Sequence, residues 1–145
     1  MSLLDMGSRK RKAEVLAQVK EDWGRLSKVS EECKSERDIV LAAVQQNGCA
    51  LGFAAEICKS DREIVLAAVQ RNGRALGFAA ESCQRDREIV LAAMKQDGRA
   101  LQFAAQSCKS DREIALKAVE QYKGAFKDVA DELIEDSSFA AEAKK

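Results

Sequence analysis

The 145-residue chain contains no proline and no histidine. Without proline the commonest helix breaker is missing, so helices must be ended by glycine, polar caps or packing. Without histidine the usual general base near neutral pH, and the commonest metal ligand, are missing. Aromatic residues make up only 5%, with a single tryptophan and a single tyrosine. Charge of either sign is not in excess: 24 basic and 24 acidic residues cancel. That balance removes strong non-specific attraction to nucleic acid or anionic lipid. Apolar runs such as "IVLAAV", residues 64–69, are far too short to cross a bilayer. The N-terminal "MSLLDMGSRKRK" places its basic cluster after its apolar residues, the wrong order for a signal peptide. Five cysteines without an export signal are expected as free thiols in a reducing compartment. Cytoplasm is the default expectation, with nucleus or organelle as alternatives.

What is present is repetition. "SDREIVLAAVQRNGRALGFAAESC" (60–83) returns as "RDREIVLAAMKQDGRALQFAAQSC" (85–108). Cys33, Cys58, Cys83 and Cys108 are 25 residues apart, as are Gly48, Gly73 and Gly98, and Phe53, Phe78 and Phe103. Ile39, Ile64, Ile89 and Ile114 keep the same count, as do Leu41, Leu66, Leu91 and Leu116. A fixed period of this size marks a stacked-repeat architecture. The expected domain plan is an N-terminal extension (1–10) carrying the basic run, then one repeat domain (11–145). Its units are 11–35, 36–60, 61–85, 86–110 and 111–135, with a partial unit at 136–145. The outer units are degenerate, as caps with one neighbour should be: Lys28 and Asp128 take the phenylalanine slot and Leu133 takes the cysteine slot.

Unit 61–85 predicts two helices of about three turns each joined by a glycine turn. Ser60 and Glu63 fit a capping box, repeated at Ser110 and Glu113, while Asp86 is the substitute cap where Arg85 replaces the serine. Ile64 and Ala68, and Val65 and Val69, fall at helical spacing. Gly73 is expected to stop the first helix with a positive φ. In the second segment Leu76, Ala79, Ala80 and Cys83 share a face by i, i+3, i+4, i+7 spacing. Such a pair cannot hide its apolar surface alone, so the recurring leucines and phenylalanines are predicted to be interior. The fold class expected is therefore all-α: an α-solenoid of about five 25-residue two-helix repeats with degenerate terminal caps, as a monomer.

No catalytic, cofactor-binding or metal-binding residues are expected. A cysteine or serine nucleophile would lack a base, and a ladder of single cysteines spreads ligands along a line rather than around a point. Cys33, Cys58, Cys83 and Cys108 read as apolar fillers; Cys49, beside a turn, is the best reactive thiol. Gly52 and Gly77, inside the second helix, imply close approach of an adjacent backbone. Arg37, Arg62, Arg87 and Arg112 recur beside Glu63, Glu88 and Glu113, which favours mutual pairing over a phosphate-binding stripe. The chain resembles the repeat family catalogued as domain of unknown function 4116, through the recurring "IVLAAV…NG.AL.FAAE" over residues 11 to about 143. That family has no assigned activity, so the resemblance implies the repeat and no catalytic residues. The function expected is a non-enzymatic scaffold binding another protein through Gln70, Arg71, Arg74, Glu81, Arg85 and Arg99. The alternative is a nucleic-acid binder using the arginine stripes and the "RKRK" run at 9–12.

Overall fold

Three elements rather than two make up each 25-residue unit. The computed structural model describes residues 3–145, with side chains from residue 9 onward. The long first helix α1 spans Leu3–Glu21. It runs straight through the expected boundary at residue 10, so the basic run is the exposed start of the first unit's own helix. There follow a 3-10 helix, η1 (Trp23–Lys28), and a single α-turn, α2 (Glu31–Lys34). The pattern then repeats as α3 (Arg37–Gln46), η2 (Gly48–Phe53), α4 (Glu56–Lys59) and α5 (Arg62–Arg71), η3 (Gly73–Phe78), α6 (Glu81–Gln84). It continues as α7 (Arg87–Gln96), η4 (Gly98–Phe103), α8 (Gln106–Lys109) and α9 (Arg112–Gln121), η5 (Lys123–Asp128), α10 (Asp131–Ile134). The chain ends in α11 (Ser137–Ala143), the opening helix of a sixth, partial unit.

Long helices α1, α3, α5, α7, α9 and α11 pack each against the next, and the 3-10 helices form a second row beside them. No strand occurs among the described residues. The stack is thus the all-α solenoid of repeats that the 25-residue period demands.

The second predicted helix is broken for local reasons. Its first part follows a three-residue period: Gly73, Leu76 and Ala79 are buried while Arg74 and Gly77 are exposed. That is the period of a 3-10 helix, closed by i→i+3 bonds such as Ala75 N–H to Asn72 O at 2.9 Å. Ala79 and Ala80 are then extended before the one-turn α6 begins. The extended alanine also crosses to the previous unit: Ala80 N–H donates to Lys59 O at 2.9 Å. Ala55 to Lys34, Ala105 to Gln84 and Ala130 to Lys109 repeat the bond at the other junctions.

Capping differs from the expectation as well. Asp61, not Ser60, caps α5: its carboxylate accepts from the N–H groups of Glu63 and Ile64. Asp86, Asp111 and Asp136 do the same for α7, α9 and α11. Ser60 and Ser110 belong to the ends of the preceding one-turn helices, where each hydroxyl donates to the carbonyl four residues back. The capping-box reading fails because the serine is still inside the previous element when the chain turns.

Glycine at the turn is likewise used for space, not for torsion. No glycine among the described residues has a positive φ. The chain leaves α5 through Asn72 in an extended conformation, and the Asn72 side-chain oxygen accepts from Arg74 N–H. A Cβ on Gly73 would stand 2.5 Å from the carbonyl oxygen of Ala93, in the long helix of the next unit. Gly48 faces Ala68 O and Gly98 faces Ala118 O even more closely. The last unit has Lys123 in that slot, and its equivalent carbonyl belongs to Ala143, at the end of α11. There the Lys123 ammonium donates to Ala143 O at 3.1 Å.

The core is one continuous cluster. Ile39, Ile64, Ile89 and Ile114, with Leu51, Leu76 and Leu101, are at most 2% exposed. Phe139 fills the isoleucine slot of the partial unit, fully buried, with its ring 6.2 Å from that of Phe126. Two expectations need correction. Leu41, Leu66, Leu91 and Leu116 are only half-buried, at the outer seam between long helices. Phe53 and Phe78 are 42% and 44% exposed, and Phe103 is half-buried. They sit at the end of the 3-10 helix, where the chain turns outward, and so lie on the surface of the stack.

Candidate interaction surface

The recurrent arginines are consumed by the repeat itself. Arg37 reaches Asp61 at 3.0 Å and also pairs with Glu63. Arg62 bridges Asp86 and Glu88, and Arg87 bridges Asp111 and Glu113, in the same way. Lys12 holds the slot in the first unit, 2.7 Å from Glu36, and Arg112 closes the ladder on Glu142 at 2.6 Å. Each of Asp61, Asp86 and Asp111 therefore caps its own helix with one oxygen and receives the previous unit's guanidinium with the other. Partial burial pushes these carboxyls up. The backbone N–H groups and the arginine together outweigh it, and all three titrate below the usual aspartate value. The guanidiniums are raised in turn by their hydrogen bonds to the paired carboxylates. This ladder ties neighbouring units together and leaves those four arginines engaged.

The cysteines form a second ladder, inside. Cys58, Cys83 and Cys108 are each 3% exposed, and their thiols face Ser35 O, Ser60 O and Arg85 O of the preceding unit at 3.6–3.8 Å. Burial raises all three thiol pKa values. Cys33 is buried too, and all five cysteines are free. Cys49 is half-exposed, and the Asn72 amide donates to its sulfur at 3.1 Å. Among the described residues no three Cys, Asp or Glu side chains converge as a metal site.

Gln70, Arg71, Arg74, Glu81, Arg85 and Arg99 are all exposed, yet they do not form one patch. Gln70 lines a shallow hollow between α5 and α7 with Leu66, Leu91 and Lys95. Arg71 folds back onto Gln45 O of the previous unit. Glu81 and Arg85 pair with each other at 2.6 Å on the short-helix row and line a separate hollow with Gln106. Arg74 and Arg99 share a third surface, the row of 3-10 helices. There they stand with residues that the sequence reading assigned to the core: Phe53, Phe78 and Phe103. Trp23 extends the aromatic line, its ring 6.5 Å from Phe53. Arg99 lies over the Tyr122 ring, 5.1 Å from its centroid.

Charge differs between the rows: the 3-10 row carries more cations than carboxylates, whereas the short-helix row mixes the two, with Lys34, Lys59, Arg85 and Lys109 among its acids. The 3-10 row carries Arg25, Lys28, Arg74, Arg99 and Lys127, all exposed and none in an ion pair among the described residues. Its carboxylates are Asp22, Asp97 and Asp128, of which the first two hold turn N–H groups. The short-helix row carries Glu31, Glu32, Glu56, Glu81, Asp131 and Glu132. Three of these glutamates are engaged by Lys34, Lys59 and Arg85 on the same row.

A stack of 25-residue helical units joined by ion pairs and single backbone bonds defines a helical-repeat protein. The family described as Domain of unknown function (DUF4116) matches residues 19–59, 37–84, 61–106 and 86–134, and the chain belongs to it. Each match takes in close to two units and overlaps the next by about one, as a register of identical interfaces would produce. No curated protein and no solved structure matches the chain. No described helix is long and apolar enough to cross a membrane.

Proposed function

We propose that this chain is a non-enzymatic scaffold that binds another protein along its row of 3-10 helices. The observation that carries the reading is the line of exposed Phe53 and Phe78 and half-buried Phe103 beside unpaired cations. Aromatic side chains in an otherwise polar surface are the residue type enriched in protein interfaces, together with arginine. The core and the ion ladder account for most of what recurs, and this line is the recurrent feature that folding leaves in water. A buried nucleophile without a base offers no comparable support for catalysis.

Nucleic-acid binding through arginine stripes is disfavoured by the same geometry. Arg37, Arg62, Arg87 and Arg112 already hold carboxylates, which a polyanion would have to displace. The test is affinity capture from the native cell with the intact chain and with the Arg74→Glu/Arg99→Glu variant. Capture of a protein that survives nuclease and is lost with the variant is the expected result. Capture abolished by nuclease would transfer the reading to nucleic acid.

A further inference from the structure

The 3-10 row has a period, and the period constrains what lies on it. Each 3-10 helix packs on the next, and packed helices stand about 8–10 Å apart. One phenylalanine stands at each step, exposed at 53 and 78 and half-buried at 103, with Arg74 and Arg99 four residues before the last two. A peptide in the polyproline II conformation advances about 3.1 Å per residue and turns every three, so equivalent side chains recur at about 9.3 Å. The two repeats match. An extended segment laid along the row would place every third side chain beside a phenyl ring and the two between them toward the flanking cations.

From this juxtaposition we infer that the row binds an extended acidic peptide with an apolar residue at every third position. The inference rests on the scaffold reading and specifies its partner. Acidity is required because Arg25, Lys28, Arg74, Arg99 and Lys127 project from the row without carboxylate partners among the described residues. Apolar spacing is required because Phe78 and Phe103 rest on Gly52 and Gly77 with one side of the ring, so that only the remaining part of each ring can meet a partner. A nucleic acid would meet the same cations, and the uridine control below separates the two.

The probe is a fluorescein-labelled peptide, (Leu-Glu-Asp)5, titrated with the intact chain and followed by anisotropy. The controls are (Leu-Lys-Arg)5, (Ser-Glu-Asp)5 and a uridine 15-mer. Binding of the first peptide at least tenfold tighter than of any control, weakening with salt and falling about tenfold in Arg74→Ala/Arg99→Ala, is the expected outcome. Circular dichroism of that variant verifies that it is folded, and Lys28→Ala/Lys127→Ala provides a second weakened form. Equal binding of the charge-inverted peptide, indifference to both variants, or no binding of (Leu-Glu-Asp)5 overturns the inference. Tighter binding of the uridine oligonucleotide overturns it too and takes the scaffold reading with it. If a protein partner captured from the cell still binds Arg74→Ala/Arg99→Ala, the chain is a scaffold through another surface, and both this inference and the placement of the interface on the 3-10 row fall.

Discussion

The ring of Phe78 lies against Gly52, one unit earlier: a Cβ on that glycine would stand 3.1 Å from the ring's Cδ1. Phe103 lies against Gly77 in the same way, at 3.0 Å. The next pair changes at both ends, since Gln102 replaces the glycine and Asp128 replaces the phenylalanine. Small and large residues therefore alternate across these two junctions, while exposed Gln102 turns its amide onto Arg99 O at 3.2 Å. The glycines inside the 3-10 helices exist for a ring and not, as the sequence had suggested, for a backbone.

The turn glycines exist for a carbonyl, which makes them far less replaceable. Gly73→Ala would drive a methyl into Ala93 O, a backbone atom held in the adjacent long helix. Overpacking of this kind costs about 1–3 kcal/mol. Gly77→Ala meets only the side of a half-buried ring that can swing outward, and Gly24→Ala meets a side-chain oxygen at 3.2 Å. Urea unfolding should rank the three in that order. A Gly73→Ala protein as stable as the parent would mean that the units are not packed at this separation.

Burial within the unit sets a second ranking. Leu76 is fully buried between units, and Leu76→Ala should cost about 2–5 kcal/mol. Leu66, half-exposed at the outer seam, should lose about 1 kcal/mol when cut to alanine. Thermal melts by circular dichroism separate these, and an equal loss at both positions would contradict the assigned faces.

That ranking shows where sequence reasoning succeeded and where it stopped. The 25-residue register, the degenerate ends and the buried Ile64, Val65, Leu76 and Cys83 were legible because a repeat exposes its interior as whatever recurs. Phe78 recurs as faithfully as Leu76, yet it is a surface residue. Recurrence alone cannot separate a core position from a repeated exposed one. The three-residue spacing of Gly73, Leu76 and Ala79 fits a 3-10 helix, but Ala75, in the same column as Phe78, is fully buried, so the spacing does not by itself place the ring outside. Asp61 was misjudged because Ser60–Glu63 satisfies the capping-box spacing equally well. Only the hydrogen bonds show which side chain reaches the free N–H groups. Of the six nominated surface residues, exposure was legible from their polarity, but their division among three surfaces depended on inter-unit geometry.

Thiol chemistry should follow burial. Cys49, half-exposed, is expected to react first with a thiol reagent under native conditions. Cys58, Cys83 and Cys108 are buried with pKa values raised by desolvation, so they stay protonated near neutral pH and should react only on unfolding. Mass spectrometry of a labelling time course reads this directly. Early modification of Cys83 would show that the ladder opens locally far below the global transition.

Acid should loosen the junctions. Asp61, Asp86 and Asp111 have native pKa values below that of an unfolded aspartate, about 3.9. A depressed carboxyl contributes stability above its unfolded pKa and loses it as pH falls through the native value. Melting temperature should thus be flat in this respect above about pH 5 and fall progressively below pH 4. The triple variant Asp61→Asn/Asp86→Asn/Asp111→Asn keeps a competent helix cap but no charge for the arginines. Its acid slope should be shallower. An unchanged slope would place the acid-sensitive groups elsewhere.

The Gly–Phe alternation can be extended by design, and this gives the most direct check on the register. Asp128→Phe alone should be destabilising or neutral, because Gln102 carries a side chain at the position where Gly77 leaves room for Phe103. Gln102→Gly alone should cost up to about 1 kcal/mol, the usual penalty of glycine within a helix. Made together, the two changes recreate at the fourth junction the contact that Phe103 makes with Gly77. Residues in direct contact commonly show coupling energies of about 0.5–3 kcal/mol, and a favourable value in that range is expected from the double-mutant cycle. Additive effects would mean that the ring does not settle over the glycine. Phe53, Phe78 and Phe103 would then owe their place to something other than packing between units, which would make the exposed aromatic line still more a feature of binding than of folding.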